Sequence, residues 1–255
     1  MQTEESPRVS VIGLVLVAIF LAIALIVSSR GYFVSTAQDQ PEELVLPVAD
    51  YGAPERLNPE EKAKRLKRNE RYDRQSGESI REVPYPVERI WSSHWARGIS
   101  AIPVSQSDII LVGTVLNSQA YLSADKTGVY SEFEIRVDEI LKGIGILSYP
   151  VVSVERLGGA VRFPSGVIQK YRTNGQGMPR QGRRYVLFLK QIDPDKDFSL
   201  VTGYELRGNH IVPLDGSSQQ GNEPLIFDSY KGVDVTSFLK VVRDAIAETF
   251  RASSK

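Results

Sequence analysis

The chain has 255 residues, 31 basic and 31 acidic side chains, and no cysteine. Zero net charge supplies no global field toward nucleic acid or an anionic surface. The missing thiols exclude disulfides, thiolate nucleophiles and cysteine-held metals; with His94 and His210 as the only two histidines, a histidine metal site or a Ser-His-Asp triad would have to recruit one of them.

After a short N-terminus, residues 1–8, the run 9–27 is apolar apart from Ser10. A membrane-spanning helix needs roughly 20 such residues, so residues 9–29 are expected to enter a membrane. Ser35-Thr36-Ala37 before Gln38 has the small-x-small form of a signal peptidase site. Against cleavage stand the length of the run and Arg30, Tyr32 and Phe33 between run and site. The expectation is an uncleaved single-pass anchor in the cell membrane, with residues 1–8 cytoplasmic and the C-terminal part outside the cytoplasm. Cleavage after Ala37 would give a secreted form.

Residues 30–57, mixing acids, prolines and small residues, read as a tether. A charged helix is expected over 58–77. Asn58 caps it, Pro59 takes the first helical position, and Glu60 and Glu61 meet the positive end of its dipole. Its apolar residues, Ala63, Leu66 and Tyr72, are too few to bury a face, which implies a solvated helix. The basic run 62–74 is alternatively a contact for nucleic acid or anionic lipid. Residues 78–106 read as a docking segment: Pro84 and Pro86 stop helices, and Ile90, Trp91 and Trp95 form an apolar patch, with His94 as a packing or surface residue.

Residues 107–255 have the pattern of a small antiparallel β-barrel of OB type with a C-terminal α-helix, so the fold class is mainly β. Residues 109–116 are apolar on both alternating faces, as in a strand covered on both sides. Residues 117–128 read as a connection ending in a turn. The next run alternates, with Phe133, Ile135 and Val137 on one side and Glu132, Glu134, Arg136 and Asp138 on the other. Further strands are expected at 151–155, 185–189 and 198–204, and a hairpin turn at Gly208-Asn209. Asp234 caps an amphipathic helix whose apolar residues are Phe238, Val242, Ala245, Ile246 and Phe250.

The phrases Asp108-Ile-Ile-Leu-Val-Gly-Thr-Val, then Phe133-Glu-Ile-Arg-Val-Asp-Glu-Ile-Leu-Lys-Gly143, Val151-Val-Ser-Val and Gly182-Arg-Arg-Tyr-Val-Leu-Phe-Leu189 follow one another in order. In this the segment 107–190 resembles the netrin-like module of tissue inhibitors of metalloproteinases and its bacterial exported relatives. The resemblance implies an OB-type barrel in an extracytoplasmic setting. The inhibitors' cysteine-dependent wedge does not carry over to a chain without cysteine, and no functional residue is transferred.

The longest irregular stretch expected inside the domain is 157–182. Arg162, Arg172 and Arg180 lie in it, Arg156 precedes it, and Arg183 and Arg184 follow; Phe163 and Tyr171 interleave with these bases. Arginines for carboxylate or phosphate, glycines for close approach and aromatics for stacking make it the candidate binding surface. A solvated hairpin extension is the plainer alternative. No cofactor is expected: the glycines form no Gly-x-x-x-x-Gly-Lys-Ser/Thr loop. No catalytic or metal residue is assigned. Glu132 and Glu134 share a strand face but read as solvated, and Asp193, Asp195 and Asp197 lack the glycine and final glutamate of a calcium loop. The function expected is non-catalytic binding of an envelope protein or an anionic glycan. The competing reading is a cytoplasm-facing nucleic-acid binder that uses the basic helix 62–74.

Overall fold

The computed structural model describes residues 46–52, 57–74, 77–91, 95–145, 149–192, 197–216 and 226–253. The expected membrane segment, the cleavage point, His94, Asp193 and Asp195 lie outside them. Among the described residues no helix is long and apolar enough to cross a membrane.

Strands β1 (Val48–Asp50) and β2 (Val87–Trp91) flank helix α1 (Pro59–Glu70). Strands β3 (Ile109–Leu122), β4 (Val129–Lys142), β5 (Val151–Leu157), β6 (Gly159–Arg162), β7 (Ile168–Thr173), β8 (Arg184–Gln191), β9 (Asp197–Arg207) and β10 (His210–Pro213) follow. A short 3-10 turn (Ile226–Tyr230) and helix α2 (Val235–Ser253) close the chain. The larger sheet pairs β3–β4, β4–β5, β3–β8 and β8–β9 antiparallel and β5–β9 parallel. Its hydrogen-bond ladder therefore passes through β3, β4, β5, β9 and β8 and returns to β3; β10 extends β9. The smaller sheet has the order β1–β6–β7–β2.

The pleat sorts the side chains of the ladder into two cores. Ile109, Leu111, Phe133, Ile135, Val154, Tyr185, Leu187 and Leu189 fill one cluster. Their neighbours Ile110, Val112, Val186 and Phe188 join Tyr204 and Phe227 in a second, with α2. This is why 109–112 and 185–189 are apolar without a gap. Phe238, Val242 and Ile246 hold α2 to this face, each fully buried side chain worth about 1.5–3 kcal/mol. Asp234 caps the helix by accepting from Ser237 N at 3.0 Å. Phe250, grouped with that apolar face in the sequence, is 59% exposed near the helix end.

Strand β3 runs six residues past the expected Leu116, because 117–122 pair with 129–134 of β4. Asn117 and Gln119 are exposed there while Ala120 is buried, and pairing with β4 satisfies the backbone. The true turn is shorter: Ser123 Oγ accepts from Thr127 N and Gly128 N at 3.0 and 2.8 Å. At Gly113, a Cβ would sit 2.6 Å from Ile135 Cγ2 and 2.7 Å from Arg136 O, so glycine permits the close approach of β3 to β4 at a register shift.

The expected irregular stretch 157–182 is a correction. It contains the β6–β7 hairpin, extended on one edge by β1 and on the other by β2, both parallel to their neighbours. Gln169, Tyr171 and Thr173 point inward and Lys170 and Arg172 outward, a period of two hidden by the polar inner residues. Within the segment 78–106 Ile80 is buried, and Trp95 stacks on Phe227 and donates Nε1 to Asn174 O at 2.8 Å, whereas Ile90 of the expected apolar patch is 53% exposed.

Candidate binding face beneath the charged helix

Helix α1 begins as its sequence dictates. Asn58 Oδ1 accepts from Glu61 N at 2.9 Å, and the Glu61 carboxylate accepts from Asn58 N at 3.3 Å. It ends at Glu70, short of the expected Gly77, and none of its residues is buried. It is nonetheless not a free, solvated helix. Arg65 and Arg68 lie three residues apart on one face, and Arg71 follows just past the end. These three reach carboxylates on three strands of the ladder. Arg65 bonds Glu132 of β4 and also Tyr130 Oη at 3.1 Å. Arg68 grips Asp197 of β9 with Nε and Nη2, the first at 2.8 Å. Arg71 Nη2 donates to Asp197 at 2.8 Å and to Glu155 of β5 at 3.2 Å.

Tyrosines complete the contact. Tyr72 donates to Glu155 Oε2 at 2.9 Å and stacks on Tyr130, ring centres 4.1 Å apart and 7° from parallel. Tyr130 donates to Asn69 Oδ1 at 2.8 Å. The Arg65 guanidinium lies 3.7 Å over the Tyr121 ring. Close approach is allowed by Gly128, where a Cβ would lie 2.3 Å from Tyr72 O. Beyond it, Arg74 N donates to Thr127 Oγ1 at 2.7 Å.

Three cations thus meet three carboxylates that have little contact with water. The Glu155 side chain has 0% exposure, Asp197 7% and Glu132 12%. Burial pushes the Glu155 carboxyl up to about 7; Arg71 and the Tyr72 hydroxyl oppose this, and Asp197 and Glu132 add to it. Burial also raises the Tyr72 and Tyr130 phenols. Burial works against the charge on Arg65, but Glu132 outweighs it and holds the guanidinium firmly protonated. Beside the helix lies an open groove of about 400 Å³ lined by Asp50, Leu66, Asn69, Gln119, Tyr121 and Lys126. Among the described residues no group of three His, Asp or Glu side chains is set to hold a metal ion.

The arginines singled out in the sequence go to separate places. Arg156 is buried and grips Asp215 with both terminal nitrogens, at 2.7 and 2.8 Å; Asp215 also accepts from Gly177 N and Thr202 Oγ1. Arg162 pairs with Asp50 and Arg172 with Glu88, in the smaller sheet. Arg180 bonds Glu205 at 3.0 Å, with Arg183 3.9 Å from the same carboxylate, and Arg184 bonds Asp138 at 2.9 Å. Phe163 and Tyr171 are buried at 3% and 2% exposure, so neither offers a ring face to a ligand from solvent. Glu132, read as solvated in the sequence, and Asp197, read there as no calcium ligand, are two of these three carboxylates.

The docked arginines did carry a sequence signal. Arg65, Arg68, Arg71 and Arg74 recur every three residues, whereas Lys62 and Lys64 before them and Lys67 between the first two stay exposed. Arginine tolerates loss of water and forks onto carboxylates; lysine holds its hydration. No protein-family model matches the chain, and no curated protein matches it.

Proposed function

We propose that this chain is a membrane-tethered, extracytoplasmic binding module of OB type, without catalysis, and that its binding face is the β4–β5 surface beneath α1. The observation that carries this reading is the charge-matched contact of α1 with Tyr130, Glu132, Glu155 and Asp197. The face already holds a polypeptide segment, and each of its carboxylates is engaged by arginine. A five-strand ladder that returns to its first strand supports the OB-type reading, and in such barrels the second and third strands form the ligand face. Here those strands are β4 and β5. The netrin-like resemblance belongs to the same proposal, since its phrases fall on β3, β4, β5 and β8 in order. The membrane anchor in this reading is residues 9–29.

The competing nucleic-acid reading loses support, because the arginines it would use face the domain. What remains outward on α1 is Lys62, Lys64 and Lys67 beside Glu60, Glu61 and Glu70, a balanced surface. The test is topology: a C-terminally tagged chain in spheroplasts treated with external protease. Loss of the tagged domain from outside is expected. Protection until lysis would overturn the extracytoplasmic reading, and the band before digestion reports any cut near Ala37.

A further inference from the structure

Resting on that reading, we propose that α1 is a displaceable strap, and that the face beneath it takes an arginine-bearing helical segment of a partner polypeptide. The strap shows what fits. Its guanidinium groups, spaced every third residue, meet carboxylates arrayed across β4, β5 and β9, with tyrosines stacking alongside. The contact is electrostatic and aromatic, because α1 buries none of its own residues. Its arginines keep 13–24% of their side chains in solvent, so ions reach them as soon as α1 lifts and salt weighs against reclosure. The fit in cis is also imperfect: among the described residues, Arg71 Nε and Nη1 are buried without a hydrogen-bond partner. The chain is held on either side by β1 on β6 and by β2 on β7, so a lifted strap stays close and competes with any ligand.

The probe is a fluorescent peptide of this chain's own residues 57–74, added to the full-length protein at low salt and followed by anisotropy. Replacing Arg65, Arg68 and Arg71 together by alanine disarms the strap. This variant should bind the peptide about tenfold or more tightly than the unaltered chain, which masks its own face. Adding Glu132→Gln, Glu155→Gln and Asp197→Asn should abolish the gain. Equal binding by the strap variant and the unaltered chain, or binding that survives loss of the carboxylates, overturns the proposal. Should the triple variant not fold, Arg65→Lys, Arg68→Lys and Arg71→Lys together remove the guanidinium forks with every charge intact, and the same two outcomes apply. Amide exchange gives an independent reading: raising salt from 0.1 to 1 M should speed exchange in α1 about tenfold and leave β3 and β8 unchanged. Unchanged α1 exchange overturns displacement. A cytoplasmic result in the protease experiment would sink the envelope reading while leaving peptide binding intact; failed peptide binding with an outside domain would sink the strap alone.

Discussion

Two arginine–carboxylate assemblies in this molecule use the same chemistry to different ends. The Arg156–Asp215 pair is sealed, with side-chain exposures of 1% and 0%. The guanidinium also donates to Gly177 O and Val201 O, and the carboxylate accepts from Gly177 N and Thr202 Oγ1. It pins β5, β9 and the segments after β7 and β10 into one unit. The clasp under α1 has comparable acids, but its arginines arrive from a helix that contributes no core residue and keep contact with water. One assembly is surrounded by backbone that cannot leave; the other is an interface. Similar distances therefore carry different meaning, and what separates them is the connectivity of the partners.

Asp215→Ala should strike hardest. It strands Arg156 in the interior and removes the acceptor of two further donors, so urea unfolding should report a loss of about 3–5 kcal/mol. A loss below about 1 kcal/mol would erase the distinction between pin and clasp. Removing Arg65, Arg68 and Arg71 together should cost the whole domain less, about 1–2 kcal/mol in the same assay, because solvent reaches the vacated acids once α1 lifts. A loss as large as that for Asp215 would make α1 part of the core.

A pH series sharpens the comparison from within the clasp. Glu155 has its carboxyl raised from 4.5 to about 7, so between these values the folded chain keeps a proton that the unfolded chain has released. This group's contribution is therefore fully present below pH 4.5 and is lost as pH rises through about 7. Arg68, Arg71, Tyr72, Glu132 and Asp197 face it throughout. Glu155→Gln should remove that slope, so the variant gains on the unaltered protein as pH climbs from 4.5 toward 7. Parallel stability curves would refute it. The smallest effects belong to the exposed pairs: Arg162→Ala and Arg184→Ala should each shift stability by no more than about 0.5 kcal/mol in the same denaturation assay.

The sequence made the core strands plain, because Ile109–Val112 and Val186–Leu189 are buried on both faces and therefore apolar on both. The α1 cap, the Gly208 turn and the buried stripe of α2 were equally legible, since each depends on neighbours within four residues. What stayed hidden depended on distant partners. Strand β7 buries Gln169 and Thr173, whose polarity masks its alternation, and β6 has four residues and is recognisable only beside β1 and β7. The proposed binding face was hidden for the same reason. Glu132, Glu155 and Asp197 come from three strands, and only the ladder brings them together, whereas the arginine cluster that looked contiguous in sequence is dispersed by the fold. The three-residue arginine spacing in 65–74 lies open in the sequence, but without the opposing acids the run reads as a solvated face or, alternatively, a contact for an external anion.

The smaller sheet has a consequence for how the chain comes into being. Both of its edges are supplied by residues made early, while its central hairpin is made late: Asp50 lies beside Arg162, 112 positions downstream. Such distant pairing carries a large loop-closure penalty and slows the search for the native topology. During synthesis the leading segment must therefore wait, with unpaired backbone, until the hairpin emerges. Nascent β1 and β2 stay orphans until residues 159–173 are made, so the sheet can close only when its central hairpin arrives.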